Sequence, residues 1–86
     1  MNFPIGTHWE RAALDDLKRL PRRTWERILN AVIRFAETGH GNLIALQGEK
    51  DEYRLRVGEW RILFHWETKT DTIHIRRVRP RGSAYQ

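Results

Sequence analysis

Apolar positions along this chain change their period once, near the middle. From 8 to 38 they return every three or four residues: Trp9, Ala13, Leu17 and Leu20, then Trp25, Ile28, Leu29, Val32, Ile33 and Ala36. That spacing gathers side chains on one face of a helix. Thr7 suits an N-cap, and Glu10 three positions on completes a capping box. Pro21 divides the stretch, because the residue before a proline avoids helical backbone, so two helices with a tight connection are predicted. Gly39 follows the second helix where a C-cap belongs. Helices joined so closely form an antiparallel hairpin.

After Gly41 the period becomes two. Tyr53, Leu55 and Val57 alternate with Arg54 and Arg56; Gly58-Glu59 intervenes; Trp60, Ile62, Phe64 and Trp66 then alternate with Arg61, Leu63 and His65. Gly at the first of two loop positions suits a type II′ turn, so a β-hairpin is predicted. Its register sets Val57 opposite Trp60, Arg56 opposite Arg61, Leu55 opposite Ile62 and Arg54 opposite Leu63. A third strand is expected over about 72–78, with Ile73 and Ile75 on one face and His74, Arg76 and Val78 on the other. Phe3 and Ile5 would suit a brief edge strand within Met1 to Ile5, and residues 80–86 read as an irregular tail. The expected fold is α+β in the order β-α-α-β-β-β: a helical hairpin on one face of a small, mostly antiparallel sheet of three to four strands. A length of 86 residues predicts one domain over 1–86.

Charge changes this picture. Sixteen Lys and Arg against eleven Asp and Glu give a formal net charge of +5, and thirteen of the sixteen are Arg. The predicted strands hold Arg54, Arg56, Arg61, Arg76, Arg77 and Arg79 but no Lys. Lysine would serve solubility equally well, whereas guanidinium favours bidentate recognition of phosphate or carboxylate. The hairpin register sends Arg54, Arg56 and Arg61 to the face away from the helices, with Arg76 and His74 beside them. Like charges directly across a ladder cost up to about 1 kcal/mol. A solvated face neutralised by Glu52, Glu59, Glu67 or Asp71 would also accommodate them, but these acids fall mainly at strand ends and turns. A bound polyanion would turn the repulsion into attraction, so an anionic partner is expected, nucleic acid or an acidic protein.

Other chemistry is thinner. The chain has no cysteine, which removes disulfides, thiolate metal sites and a cysteine nucleophile; with no signal peptide evident, a reducing cytoplasm is expected. No apolar run approaches the roughly 20 residues of a membrane helix. His8, His40, His65 and His74 are scattered without metal-ligand spacing, and neither a metal nor another cofactor is expected. Gly39-His40-Gly41 lacks the trailing Lys-Ser/Thr of a phosphate-binding loop. Trp9, Trp25 and Trp66 are assigned to the core. Trp60, beside the turn, could pack there or stack on a base.

With these residues laid out, the chain resembles the RelE/ParE superfamily of type II toxin–antitoxin toxins. The resemblance runs through Leu46-Gln47-Gly48, through Tyr53-Arg54-Leu55-Arg56-Val57-Gly58-Glu59-Trp60-Arg61-Ile62-Leu63-Phe64, and through Ile75-Arg76-Arg77-Val78-Arg79-Pro80-Arg81 to Tyr85. The family's wording is a Leu-Lys-Gly approach, a Tyr-Arg-Leu-Arg-Val-Gly-Asp-Tyr-Arg-Ile-Ile-Tyr hairpin and an Ile-Gly-His-Arg ending followed by Tyr. In the RelE-like branch the resemblance implies an endoribonuclease that cuts mRNA in the ribosomal A site by 2′-hydroxyl attack on the adjacent phosphate, without metal. It maps catalytic roles onto Arg61, Arg81, Arg54 and Tyr85, and leaves Arg56, Arg76, Arg79 and Trp60 as phosphate- or RNA-binding candidates. Implied partners are an antitoxin, the ribosome and mRNA. The sequence departs from the family at Pro80, where many relatives have His, and at Glu52, where some active members have Lys. The ParE-like branch, which inhibits DNA gyrase, and a non-catalytic basic module that holds an acidic antitoxin are the alternatives.

Overall fold

The computed structural model describes residues 3–81. Its elements run β1 (Gly6–Trp9), α1 (Arg11–Lys18), α2 (Arg22–Thr38), β2 (Asn42–Ala45), β3 (Glu52–Val57), β4 (Trp60–Glu67) and β5 (Thr72–Pro80). The strands form a mixed sheet of five in the order β1-β5-β4-β3-β2, one more than the upper end of the sequence expectation. The α+β design with the helical pair on one face is as expected. Pro21 opens α2 from the N-cap position, and Gly39 closes it in the left-handed region at φ 78°.

The hairpin register is the one the alternation predicts: Val57↔Trp60, Arg56↔Arg61, Leu55↔Ile62 and Arg54↔Leu63. Gly58 has φ 59°, as the first loop position of a type II′ turn requires. Leu55, Val57, Ile62, Phe64 and Trp66 are buried beneath the helices with Ile28, Val32 and Phe35 of α2. The Phe35 ring lies 5.7 Å from that of Phe64 and 5.8 Å from that of Trp66. α1 adds Ala13 and Leu17 to the same core.

Three local expectations fail, each for a reason of pairing. Thr7 is not a helix cap: Gly6–Trp9 forms a strand parallel to β5, with Thr7↔Ile73 and Trp9↔Ile75. α1 therefore starts at Arg11, after an extended Glu10 whose side chain makes no cap hydrogen bond. The edge strand expected within 1–5 accordingly lies at 6–9, while Ile5 is buried in the core and its N–H donates to the Ala36 carbonyl (2.7 Å). Val78 is buried rather than open-faced. The β4–β5 ladder shifts register between Leu63 and Phe64, pairing Leu63 with Arg77 but Phe64 with Ile75. Arg76 is thus an extra residue on β5, and such a bulge reverses the facing of everything after it.

Candidate functional site

Paired residues on neighbouring strands share a face, so the registers define rows across the open side of the sheet. One row runs Asn42–Arg56–Arg61–Arg79 over β2, β3, β4 and β5. A second runs Ile44–Arg54–Leu63–Arg77. A third runs Glu52–His65–His74–His8. With strands about 4.8 Å apart, Arg56 to Arg79 spans roughly 10 Å. The bulge that turns Val78 into the core is also what returns Arg79 to the open face beside Arg61.

Arg61 is buried at the centre of the row. Arg81, exposed just after β5, donates its backbone N–H to the Glu59 carbonyl (2.7 Å), which ties it to the β3–β4 turn at the same end of the sheet. Among the described residues Arg54, Arg56, Arg79 and Arg81 form no ion pair within 4 Å. Arg54, Arg56, Arg61, Arg79 and Arg81 therefore gather positive charge at one end of one face. Tyr85 lies outside the described residues.

Two candidates from the sequence do not join this group. Trp60 pairs with Val57 and Pro80 on the helix-covered side and packs, half-buried, against the core; a base stacked on the arginine face would not reach it. Arg76 on the bulge turns to acids, with Nε 3.7 Å from Glu10 Oε2 and Nη1 3.6 Å from Glu52 Oε1. Glu52 also hydrogen-bonds His65 through Oε2 and Nδ1. The third row is therefore an acid–imidazole patch beside the arginines, continued by His74, whose Nε2 lies 3.6 Å from Glu67 Oε1. Thr70 hydrogen-bonds the Glu67 carboxylate and, with nearby His74, His65 and Lys69, holds it below its usual range.

Arg77, which sequence reasoning did not single out, binds Asp16 of α1 with both Nε (2.9 Å) and Nη2 (3.0 Å). Asp16 also accepts the Val78 N–H (2.8 Å). Burial pushes the Asp16 carboxyl up, but the Arg77 hydrogen bond, the Val78 N–H and the charges of Arg77 and Arg79 more than offset this and leave it lowered. The same pair raises Arg77. The available sequence signal was a lone acid beside the apolar stripe of α1; its partner sixty-one residues away carried none. Among the described residues no cluster of three or more His, Cys, Asp or Glu is arranged to hold a metal. No described helix is long and apolar enough to cross a membrane.

Two helices cover one face of the five-stranded sheet, and the other face carries the arginine row. The family model described as the ParE toxin of the type II toxin–antitoxin system parDE matches residues 8–85, and the chain belongs to that family, within the RelE/ParE superfamily. Solved structures agree. The toxin in the archaeal RelE–RelB complex of Pyrococcus horikoshii superposes with a TM-score of 0.78 at 24% identity, over 95% of this chain and 100% of that one. For the RelB–RelE antitoxin–toxin complex of Methanococcus jannaschii the TM-score is 0.75 at 27% identity, over 91% and 94%. For the RelBE2 toxin–antitoxin complex of Mycobacterium tuberculosis it is 0.66 at 28% identity, over 93% and 94%. No curated protein matches the chain.

Proposed function

We infer that this toxin acts as a ribosome-dependent endoribonuclease on mRNA. The observation that carries this reading is the row Arg56–Arg61–Arg79, with Arg54 and Arg81 beside it, on the sheet face opposite the helices. In the reaction the ribose 2′-oxygen attacks the neighbouring phosphorus and the bond to the 5′-oxygen breaks. A 2′,3′-cyclic phosphate and a 5′-hydroxyl result. Charge that develops on the phosphorane is met by Arg61, buried in the sheet face, and by Arg81, whose backbone is tied to the β3–β4 turn. Arg56 and Arg79 hold flanking phosphates, Arg54 stands next to the scissile linkage, and Tyr85 orients the base.

The 2′-hydroxyl proton needs an acceptor, and a guanidinium, which stays protonated at neutral pH, is a weak base. Glu52, next to Arg54 on this face and hydrogen-bonded to His65, supplies a carboxylate for that role. The partner that restrains the toxin is an antitoxin, as in the RelE–RelB complexes it resembles. Lys18, Trp9, Leu14, Leu17, Trp25 and Leu29 line an apolar groove of about 390 Å³ between the helices, suited to an amphipathic, acidic antitoxin helix.

Primer extension on mRNA translated with the purified toxin tests the reading: cuts phased with codons are expected. Arg61→Ala with Arg81→Ala should lower cutting by at least about 10²-fold while circular dichroism stays that of the parent. The match to the ParE model favours a second reading, inhibition of DNA gyrase. Uncut mRNA together with gyrase-dependent DNA breaks would establish it in place of the first.

A further inference from the structure

Where the arginine row leaves the sheet it runs into a cavity. β2 begins at Asn42, opposite Arg56, so past Arg56 the outer margin of β3 has no strand beside it among the described residues. The space there, about 450 Å³, falls within the roughly 300–1,000 Å³ of small-ligand sites. Leu55 and Val57 form an apolar floor; Asn30 and Arg34 of α2, His40 of the following loop and Arg56 of β3 bring the polar groups.

The loop that closes this space is held by specific contacts. A Cβ at Gly41 would stand 2.7 Å from Leu55 Cδ1, so any other residue there would have to push that floor side chain aside. Thr38 Oγ1 donates to the Arg34 carbonyl (2.7 Å) and accepts the His40 N–H (3.1 Å), tying His40 to the last turn of α2. Among the described residues no carboxylate lines the cavity, and neither Arg34 nor Arg56 has an ion pair within 4 Å. Two guanidiniums above an apolar floor, with a carboxamide able both to donate and to accept, match the parts of a nucleotide: a phosphate, a planar ring to bury and a base edge to read.

We propose that this cavity is a nucleotide subsite for single-stranded RNA, taking the phosphate and base of the nucleotide that flanks the linkage held at Arg61. The inference rests on the ribonuclease reading and extends it from one linkage to the strand beside it. Arg56 belongs to the row and to the cavity at once, so one continuous polyanion engages both. An acidic peptide could offer carboxylates to the same arginines but brings no planar ring for the floor.

A labelled six-nucleotide 2′-O-methyl RNA, which cannot be cut by its own hydroxyl, reads the subsite without ribosomes. Arg34→Ala should weaken its binding about tenfold, the loss of one charge-assisted phosphate contact. The slope of log affinity against log salt should fall by about 0.7. Asn30→Ala should weaken binding with the slope unchanged. Arg11→Ala removes the same charge from α1, which packs against β5 at the other side of the sheet, and should change binding less than twofold. Arg34 is exposed on a helix, so alanine keeps the fold; Arg34→Gln is the companion variant. Equal losses for Arg34→Ala and Arg11→Ala overturn the proposal, as does a variant that loses hexaglutamate while retaining the RNA. Arg34-dependent RNA binding with no cutting of translated mRNA would keep the subsite and remove the ribonuclease reading. Cutting with unaltered oligonucleotide binding would do the reverse.

Discussion

Replacing Asp16 by alanine asks how the last strand is held in place. β1 accompanies β5 only as far as Ile75, and beyond it Asp16 of α1 takes over as the partner of that edge. It accepts the Val78 N–H at 2.8 Å and the Arg77 Nε and Nη2 at 2.9 and 3.0 Å. Losing it strands a buried N–H, which costs about 1–2 kcal/mol. The pair with Arg77 adds about 1 kcal/mol rather than more, because the Arg77 side chain is 36% exposed and water screens it. A total of about 2–3 kcal/mol lowers Tm by roughly 10–20 °C in a domain of this size. Asp16→Asn keeps an acceptor for Val78 and should lose about half as much. Thermal melts by circular dichroism measure both, and a double-mutant cycle with Arg77→Ala isolates the pair. Because the folded carboxyl sits below its ordinary value of 3.8, its charge contributes fully above that value and is lost as pH falls through the folded value. The Tm gap between parent and Asp16→Asn should hold steady above about pH 5 and close under more acid conditions. A Tm loss under about 3 °C for Asp16→Ala, or a gap that widens in acid, would refute this account of the edge.

Other perturbations probe the core, the cap and the chemistry. Phe35→Ala removes a ring in contact with those of Phe64 and Trp66 and should cost about 3–5 kcal/mol in urea unfolding. Gly39→Ala forces a side chain into φ 78° and sets its Cβ 2.8 Å from the Phe3 ring; a loss of about 1–3 kcal/mol is expected in the same assay. Glu52→Gln should slow mRNA cutting in single turnover by about 10²-fold. An unaltered rate would assign the proton to a ribosomal group instead.

Much of this architecture is legible from local pattern. Alternation through 53–66 fixes the β3–β4 pairing and, with it, the shared face of Arg54, Arg56 and Arg61. Periodicity and the Pro21 and Gly39 signals fix the two helices. What escapes has its cause far away along the chain. Gly6–Trp9 is short and polar, and it is a strand only because β5 stands beside it. Nothing near Arg76 in the sequence marks the bulge, yet that single residue moves Val78 inward and Arg79 outward. Asp16 and Arg77 each look like surface charges until the fold joins them. Arg34 and His40 fall on a helix flank and a capping loop, and only the end of β2 opposite Arg56 leaves the room that unites them.

The parallel union of β1 with β5 also orders events during biosynthesis. Local contacts let the helices and the β3–β4 hairpin form as they emerge, but β1 waits for a partner made more than sixty residues later. Until β5 is complete, Phe64 and Trp66 lack Ile75 and Ile73 across the ladder, and Arg61 lacks Arg79. The open-face row is thus a late product of folding: it is complete only when β5, joining β4 and β1 together, sets Arg79 beside Arg61.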